Sequence, residues 1–140
     1  MITIAYWTQS GNTKLMADKI AEGVKAAGKD ARVVEISEIS ASELENENVF
    51  ALGCPAMGAE ELDADMDTFV AEVEKFAAGK TIGLFGSYGW GDGEWMREWE
   101  KRMIAAGATV LNDEGLICQE APDADAEAAC KSMGEALAGV

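Results

Sequence analysis

The sequence predicts an α/β protein in which a parallel sheet is covered by helices on both faces. Short, nearly continuous apolar runs such as ITIAYW and VFALG alternate along the chain with amphipathic stretches of helical period, the pattern of strand–helix–strand units. Those runs do not switch strictly between apolar and polar residues, so each strand expects cover on both sides, as in a parallel sheet. With 140 residues, 49% apolar and 26% charged, the chain reads as one globular domain over residues 1–140 with a real core.

Residues 2–7 form the first strand. Residues 13–27 read as a helix, with Met16, Ile20, Val24 and Ala27 along one face and Gly28 as its stop. Residues 31–36 make the second strand and residues 49–53 the third, short and apolar throughout. A second helix over 65–78 is closed by Gly79, and a fourth strand follows over 81–87. The third helix, 93–106, turns Met96, Trp99, Met103 and Ala106 inward. Residues 109–118 contain a fifth strand, with an interruption expected around Asn112, Asp113, Glu114 and Gly115, and residues 124–138 form the last helix. In a doubly wound sheet ligands sit beyond the carboxyl ends of the strands. The segments that matter are therefore 8–13, 54–62, 87–93 and 119–122.

Composition removes several functions. The 26 acidic and 11 basic residues give a formal charge of −15, which opposes nucleic acid binding because phosphates need clustered Lys and Arg. Such acidity serves either solubility or the steering of basic partners. No apolar run approaches the ~20 residues of a membrane span. The first residues enter a strand pattern with no basic leader, so a cytoplasmic protein is expected. Cys54, Cys118 and Cys130 are odd in number and far apart, suggesting neither a disulfide framework nor a thiolate metal site. There is no histidine, which removes Ser-His-Asp and Cys-His catalysis and histidine-ligated metals. Redox or group-transfer chemistry would have to come from a bound cofactor.

The first loop, in YWTQSGNT, carries Thr8, Gln9, Ser10, Gly11, Asn12 and Thr13. Either Ser10 or Thr13 caps the following helix, or its start cradles an anion through backbone N–H groups and the side chains of Thr8, Ser10, Asn12 and Thr13. Four donor side chains in six residues favour the anion. No Lys or Arg lies in the loop and Lys14 is the nearest, so neutral dipoles alone would hold it. Nucleotide motifs fail here. Gly79-Lys80-Thr81 resembles a Walker A tail, but Glu74 replaces its first glycine and the segment precedes a strand; no G-x-G-x-x-G follows the first strand. The second loop, CPAMGAEEL, places Met57 at the tip of a tight turn, which is either an inward-folded connection or a cover for a ligand. The third, SYGWGDG, surrounds Trp90 with glycines. Trp90 is either a lid on the core or a face for a flat ring to stack on.

Taken together, YWTQSGNT, LGCPAMGAEEL and LFGSYGWGDGEWM resemble flavodoxin, of the short-chain kind found in anaerobic bacteria, over essentially the whole chain. The resemblance implies a three-layer flavodoxin-like sandwich with a five-stranded parallel sheet in order 2-1-3-4-5, holding one non-covalent FMN and no metal. It implies that residues 8–13 cradle the phosphate with Ser87, that Met57 covers the inner face of the isoalloxazine and Trp90 the outer, and that Glu60 accepts from the flavin N3–H. Gly58, Gly89 and Gly91 would line the ring edge and ribityl chain with backbone groups. Pro55, Ala56, Ala59, Tyr88 and Gln119 complete the expected cofactor-binding set, beside Glu120 in the last loop. Ser10 (commonly Thr) and Ala59 (commonly Asp, Gly or Ser) depart from the family pattern.

The implied function is a low-potential one-electron carrier, not an enzyme, cycling between neutral semiquinone and anionic hydroquinone and substituting for ferredoxin-type carriers. Its implied partners are oxidoreductases with basic docking patches, met as a monomer. Proton uptake at N5 expects the Gly58 carbonyl as acceptor, through a type II-like turn with positive φ at Ala59. The alternatives are a flavodoxin-like NAD(P)H or quinone reductase and a redox activator of a metalloenzyme. A signalling receiver domain is excluded, because Thr8 and Cys54 stand where it needs aspartates.

Overall fold

The computed structural model describes residues 1–140. The elements are β1 (Ile2–Tyr6), α1 (Asn12–Ala26), β2 (Ala31–Glu35), β3 (Val49–Gly53), α2 (Ala64–Glu74), β4 (Thr81–Tyr88), α3 (Glu94–Ala105), β5 (Thr109–Val110), β6 (Leu116–Gln119) and α4 (Ala124–Ala138). The strands pair in parallel in the order β2-β1-β3-β4-β5, with β6 also on β4. The expected fifth strand is therefore two pieces: β5 pairs with Thr81 and Ile82, and β6 with residues 85–88. The break falls where expected. Asn112 and Asp113 take left-handed φ values of 62° and 64°, which their short polar side chains tolerate better than most.

Successive strand residues face opposite sides, and each side has its own core. On one, Ala5, Phe50, Leu52, Ile82 and Leu84 meet Met66, Phe69, Val70 and Val73 of α2 and Trp95, Met96, Trp99 and Met103 of α3. On the other, Ile2, Ile4, Tyr6, Ala51 and Phe85 meet Met16, Ile20 and Val24 of α1 and Cys130, Met133 and Leu137 of α4. The result is the expected three layers. α1 and α4 touch backbone to backbone. A Cβ on Gly23 would lie 2.0 Å from the Lys131 carbonyl oxygen, and one on Gly134 2.0 Å from that of Ile20. This contact seats α1, and with it the loop at its N-terminus.

Two helix ends differ from the sequence expectation. α1 ends at Ala26, leaving Ala27 exposed as its cap rather than on the buried face. α2 ends at Glu74 rather than at 78, because the amides of Lys75 and Phe76 bond to carbonyls three residues back. That tightening carries Ala77 into the core. The crossover from β2 to β3 has no α-helix, only short 3-10 turns at Ile36–Glu38 and Ala41–Leu44. Ile36, Ile39 and Leu44 plug it into the core, and the buried Lys80 ammonium donates to the carbonyl oxygens of Glu45 and Glu47 at 2.5 and 2.8 Å. No helix is long and apolar enough to cross a membrane.

Candidate functional site

The loops after β1, β3, β4 and β6 meet at one edge of the sheet. In the first, Gly11 adopts φ 95° as the residue before α1, and its N–H donates to the Thr8 hydroxyl at 3.0 Å, curling the loop. No side chain caps α1, so the capping role open to Ser10 and Thr13 is not taken up. Thr13 instead meets the Ser87 hydroxyl at 3.1 Å and accepts the Ser87 N–H at 3.4 Å. Both residues are buried. The first-turn amides of Asn12, Thr13 and Lys14 are donors without an intrahelical acceptor. Lys14 turns to Asp18, 3.0 Å away, and its side chain is half exposed. The donor set around the helix start is thus neutral, as the sequence predicts.

The second loop prolongs the β3–β4 pairing, with the amides of Cys54 and Ala56 bonded to the carbonyls of Phe85 and Ser87. Met57 and Glu61 then exchange backbone hydrogen bonds of 2.9 and 3.0 Å, closing a tight loop over Gly58, Ala59 and Glu60. Positive φ falls on Gly58 (43°) and Glu60 (54°), not on Ala59. Reciprocal Met57–Glu61 pairing closes a three-residue loop here; the type II-like turn with positive φ at Ala59 belongs to proton uptake at N5 on reduction. Met57 is half-buried, and Gly58 and Ala59 are exposed. Burial pushes the Cys54 thiol up to about 12, so it is no nucleophile at neutral pH.

In the third loop Trp90 is 65% exposed, whereas Trp95 and Trp99 are each 1% exposed and belong to the core. The lid reading of Trp90 therefore fails. Trp95 donates its Nε1–H to the Cys54 carbonyl at 3.1 Å, fixing α3 against the second loop. Glu60 reaches the same helix: its Oε1 accepts the N–H groups of Gly93 and Glu94, each at 3.1 Å. The last loop docks on the third, the Glu120 N–H donating to Tyr88 at 2.8 Å and the Gln119 Nε2 to the Gly89 carbonyl at 3.4 Å.

Between these loops lies a cavity of about 250 Å³ lined by Gln9, Ser10, Asn12, Pro55, Ala56, Ser87, Tyr88, Gly89 and Glu120. Eight of the nine belong to the expected cofactor-binding set. The ninth, Glu120, had only its place after the last strand to mark it. Two contacts gave no sequence signal at all, the Thr13–Ser87 pair and the hold of Glu60 on α3, since each joins residues over thirty positions apart. A larger cavity of about 480 Å³ lies across β1, between Trp7, Ile36, Ala41 and Phe69, where the β2–β3 crossover lacks a helix. Its charged lining is Glu35, Asp65 and Glu72, which repels an anion.

Comparison with known proteins agrees with this geometry. The family model described as flavodoxin matches residues 4–133. The chain is 43% identical to a flavodoxin of Clostridium beijerinckii over 138 residues, covering 98% of this chain and 99% of the relative. It is 45% identical to a flavodoxin of Megasphaera elsdenii over 139 residues, covering 99% and 98%. The solution structure of two-electron reduced Megasphaera elsdenii flavodoxin superposes with a TM-score of 0.88, all of each chain covered, at 43% identity. With its strand order, its loops and these relatives in agreement, the chain belongs to the flavodoxin family, the FMN-holding electron carriers.

Proposed function

We propose that this chain is a single domain over residues 1–140 that holds one FMN non-covalently and passes single electrons at low potential, as a monomer in the cytoplasm. The observation that carries the proposal is the cavity of about 250 Å³ where four strand-end loops meet around a neutral donor set. That chemistry fits a phosphate, which backbone amides and hydroxyls at a helix start can hold without a cation. Thr8, Gln9, Ser10, Gly11, Asn12 and Thr13 take the phosphate, joined by Ser87. Pro55, Ala56, Tyr88 and Gln119 wall the site, and the backbone of Gly58, Ala59, Gly89 and Gly91 follows the ring edge. Met57 and the exposed Trp90 are the two faces available to a flat ring. Glu60 uses Oε1 on α3, and its Oε2 remains to accept from the ring N–H.

FMN supplies the one-electron chemistry when bound; the chain binds it, orients it and places no Lys or Arg in the cavity. With Trp90 over the outer face there is no room for a second organic substrate, which favours a carrier over a reductase. The net charge of −15 draws oxidoreductases with basic patches, of the kind served by small iron–sulfur carriers. The test is stepwise dithionite reduction of the protein reconstituted with FMN, which resolves two separate one-electron steps. Apoprotein that takes up no FMN refutes the proposal, and steady NAD(P)H–quinone turnover without an added reductase converts the carrier into an enzyme.

A further inference from the structure

We infer that Glu60 is a positioning residue that latches the loop carrying Met57 to the loop carrying Trp90. α2 and α4 are capped locally: Asp63 accepts from the amides of Asp65 and Met66, and Asp123 from that of Ala126. α3 has no cap of its own. It begins at Gly93, with φ 94° and no side-chain acceptor in its own turn, and its first two amides are taken by Glu60 from another loop. A carboxylate on two helix-start amides is a charge-assisted contact aligned with the helix dipole.

The two loops are shaped for this contact. Glu60 sits at φ 54°, a conformation that glycine or asparagine adopts more readily, and the Met57–Glu61 pairing holds it there. On the other side the chain wraps the carboxylate so closely that a Cβ on Gly91 would lie 2.4 Å from the Glu60 Cδ. Gly91 thus has two reasons to be glycine, its φ of 88° and this contact. Trp90 stands between Gly89, tethered by Gln119, and Gly93, tethered by Glu60. Glu60 thus joins the loop carrying Met57 to the end of the loop carrying Trp90, beside the tie that Trp95 makes to Cys54. Only the further point, that the second oxygen then serves the cofactor, rests on the FMN proposal.

The latch is read by backbone amide exchange in the FMN-free protein. Glu60→Ala should speed exchange at Gly93 and Glu94 about tenfold or more, while the capped amides of Asp65 and Ala126 keep their wild-type rates. Glu60→Gln keeps an acceptor oxygen and should retain most of the protection. Gly91→Ala, which displaces the carboxylate without removing it, should lose protection as Glu60→Ala does. If Glu60→Ala does not fold, the other two variants report on the same amides. Wild-type exchange at Gly93 and Glu94 in Glu60→Ala or Gly91→Ala overturns the inference, as does equal acceleration at all three helix starts. FMN titration of the wild-type protein is independent: failure to bind would end the proposed function and leave the latch standing.

Discussion

Replacing Trp90 by alanine separates a binding surface from a core. The side chain is 65% exposed, against 1% for Trp95 and Trp99. A covered aromatic side chain buries ~150–250 Å², so about 130 Å² of Trp90 is still open to a ligand. At ~25 cal/mol per Å² that is about 3 kcal/mol, with roughly 1 kcal/mol more from offset stacking on a flat ring. Ordering the glycine-rich loop and the methyl that alanine retains take back part of this, on the order of 1–2 kcal/mol. The net loss of about 2–3 kcal/mol weakens FMN binding roughly 50-fold. The FMN-free protein should keep its stability to within ~0.5 kcal/mol, as exposed positions do. Titration of apoprotein by quenching of flavin fluorescence gives the first quantity and urea unfolding of the apoprotein the second. An affinity within about threefold of wild type, or an apoprotein destabilised by more than ~2 kcal/mol, refutes the assignment of Trp90 to the ring.

Lys80→Met keeps the buried stem but removes the two bonds to Glu45 and Glu47. After allowing for the ammonium's relieved desolvation the apoprotein should lose about 2 kcal/mol, near 1 M in the urea midpoint; an unmoved midpoint shows the β2–β3 crossover needs no such tie. Burial pushes the thiols of Cys54 and Cys130 up to about 12 and that of Cys118 to about 11. The folded state therefore holds these protons more tightly than the unfolded chain. Their contribution is complete below the ordinary thiol value of 9.0 and is lost as pH rises from there towards 12. Urea midpoints should fall over that window and fall less in Cys54→Ala; a level profile contradicts it. Finally, each carboxylate ~10 Å from the ring opposes added negative charge by roughly 0.4 kcal/mol before screening. Raising ionic strength should lift the more negative one-electron couple by roughly tens of millivolts, and a salt-independent potential in a redox titration removes the electrostatic account.

The architecture was legible because its signals are local. Apolar runs such as VFALG and the stops at Gly28 and Gly79 need no partner to be recognised, and even the break at Asn112 and Asp113 is written in residue types that tolerate positive φ. The ends of α2 were less legible, since Phe76 and Ala77 continue the helical pattern while core packing draws them into a tighter turn. In the site the pattern is the same. The neutral character of the first loop follows from its composition, but the partner of Thr13 does not: the capping rule assigns its hydroxyl to its own helix, and a buried Ser87 from β4 claims it instead. The loop at Gly58, Ala59 and Glu60 likewise takes its shape from outside its own residues, from Met57 pairing with Glu61 and from the Glu60 bonds to the start of α3. Long-range acceptors decide such loops.

The same acceptors bear on the charge around the cofactor. The cations nearest the site are spent elsewhere, Lys14 on Asp18 and Arg97 on Asp92. Arg102, beside the second loop's groove, is held between Asp67 and Glu74. No Lys or Arg lines the 250 Å³ cavity, which includes Glu120. In the proposed reading a phosphate held there by dipoles would keep its charge, and Glu60 would add another beside the ring. An electron placed on FMN held there would meet a field that no Lys or Arg of the cavity neutralises, within a chain at −15. Oxidised FMN would not meet this opposition, because dipoles and stacking act regardless of the added electron. The reduced group is opposed, since only it gains charge. The absence of a cation from the loops after β1 and β4 is therefore a condition for a strong reductant, and a single lysine introduced at Ser10 or Gly89 would raise the second potential while tightening the grip on the phosphate.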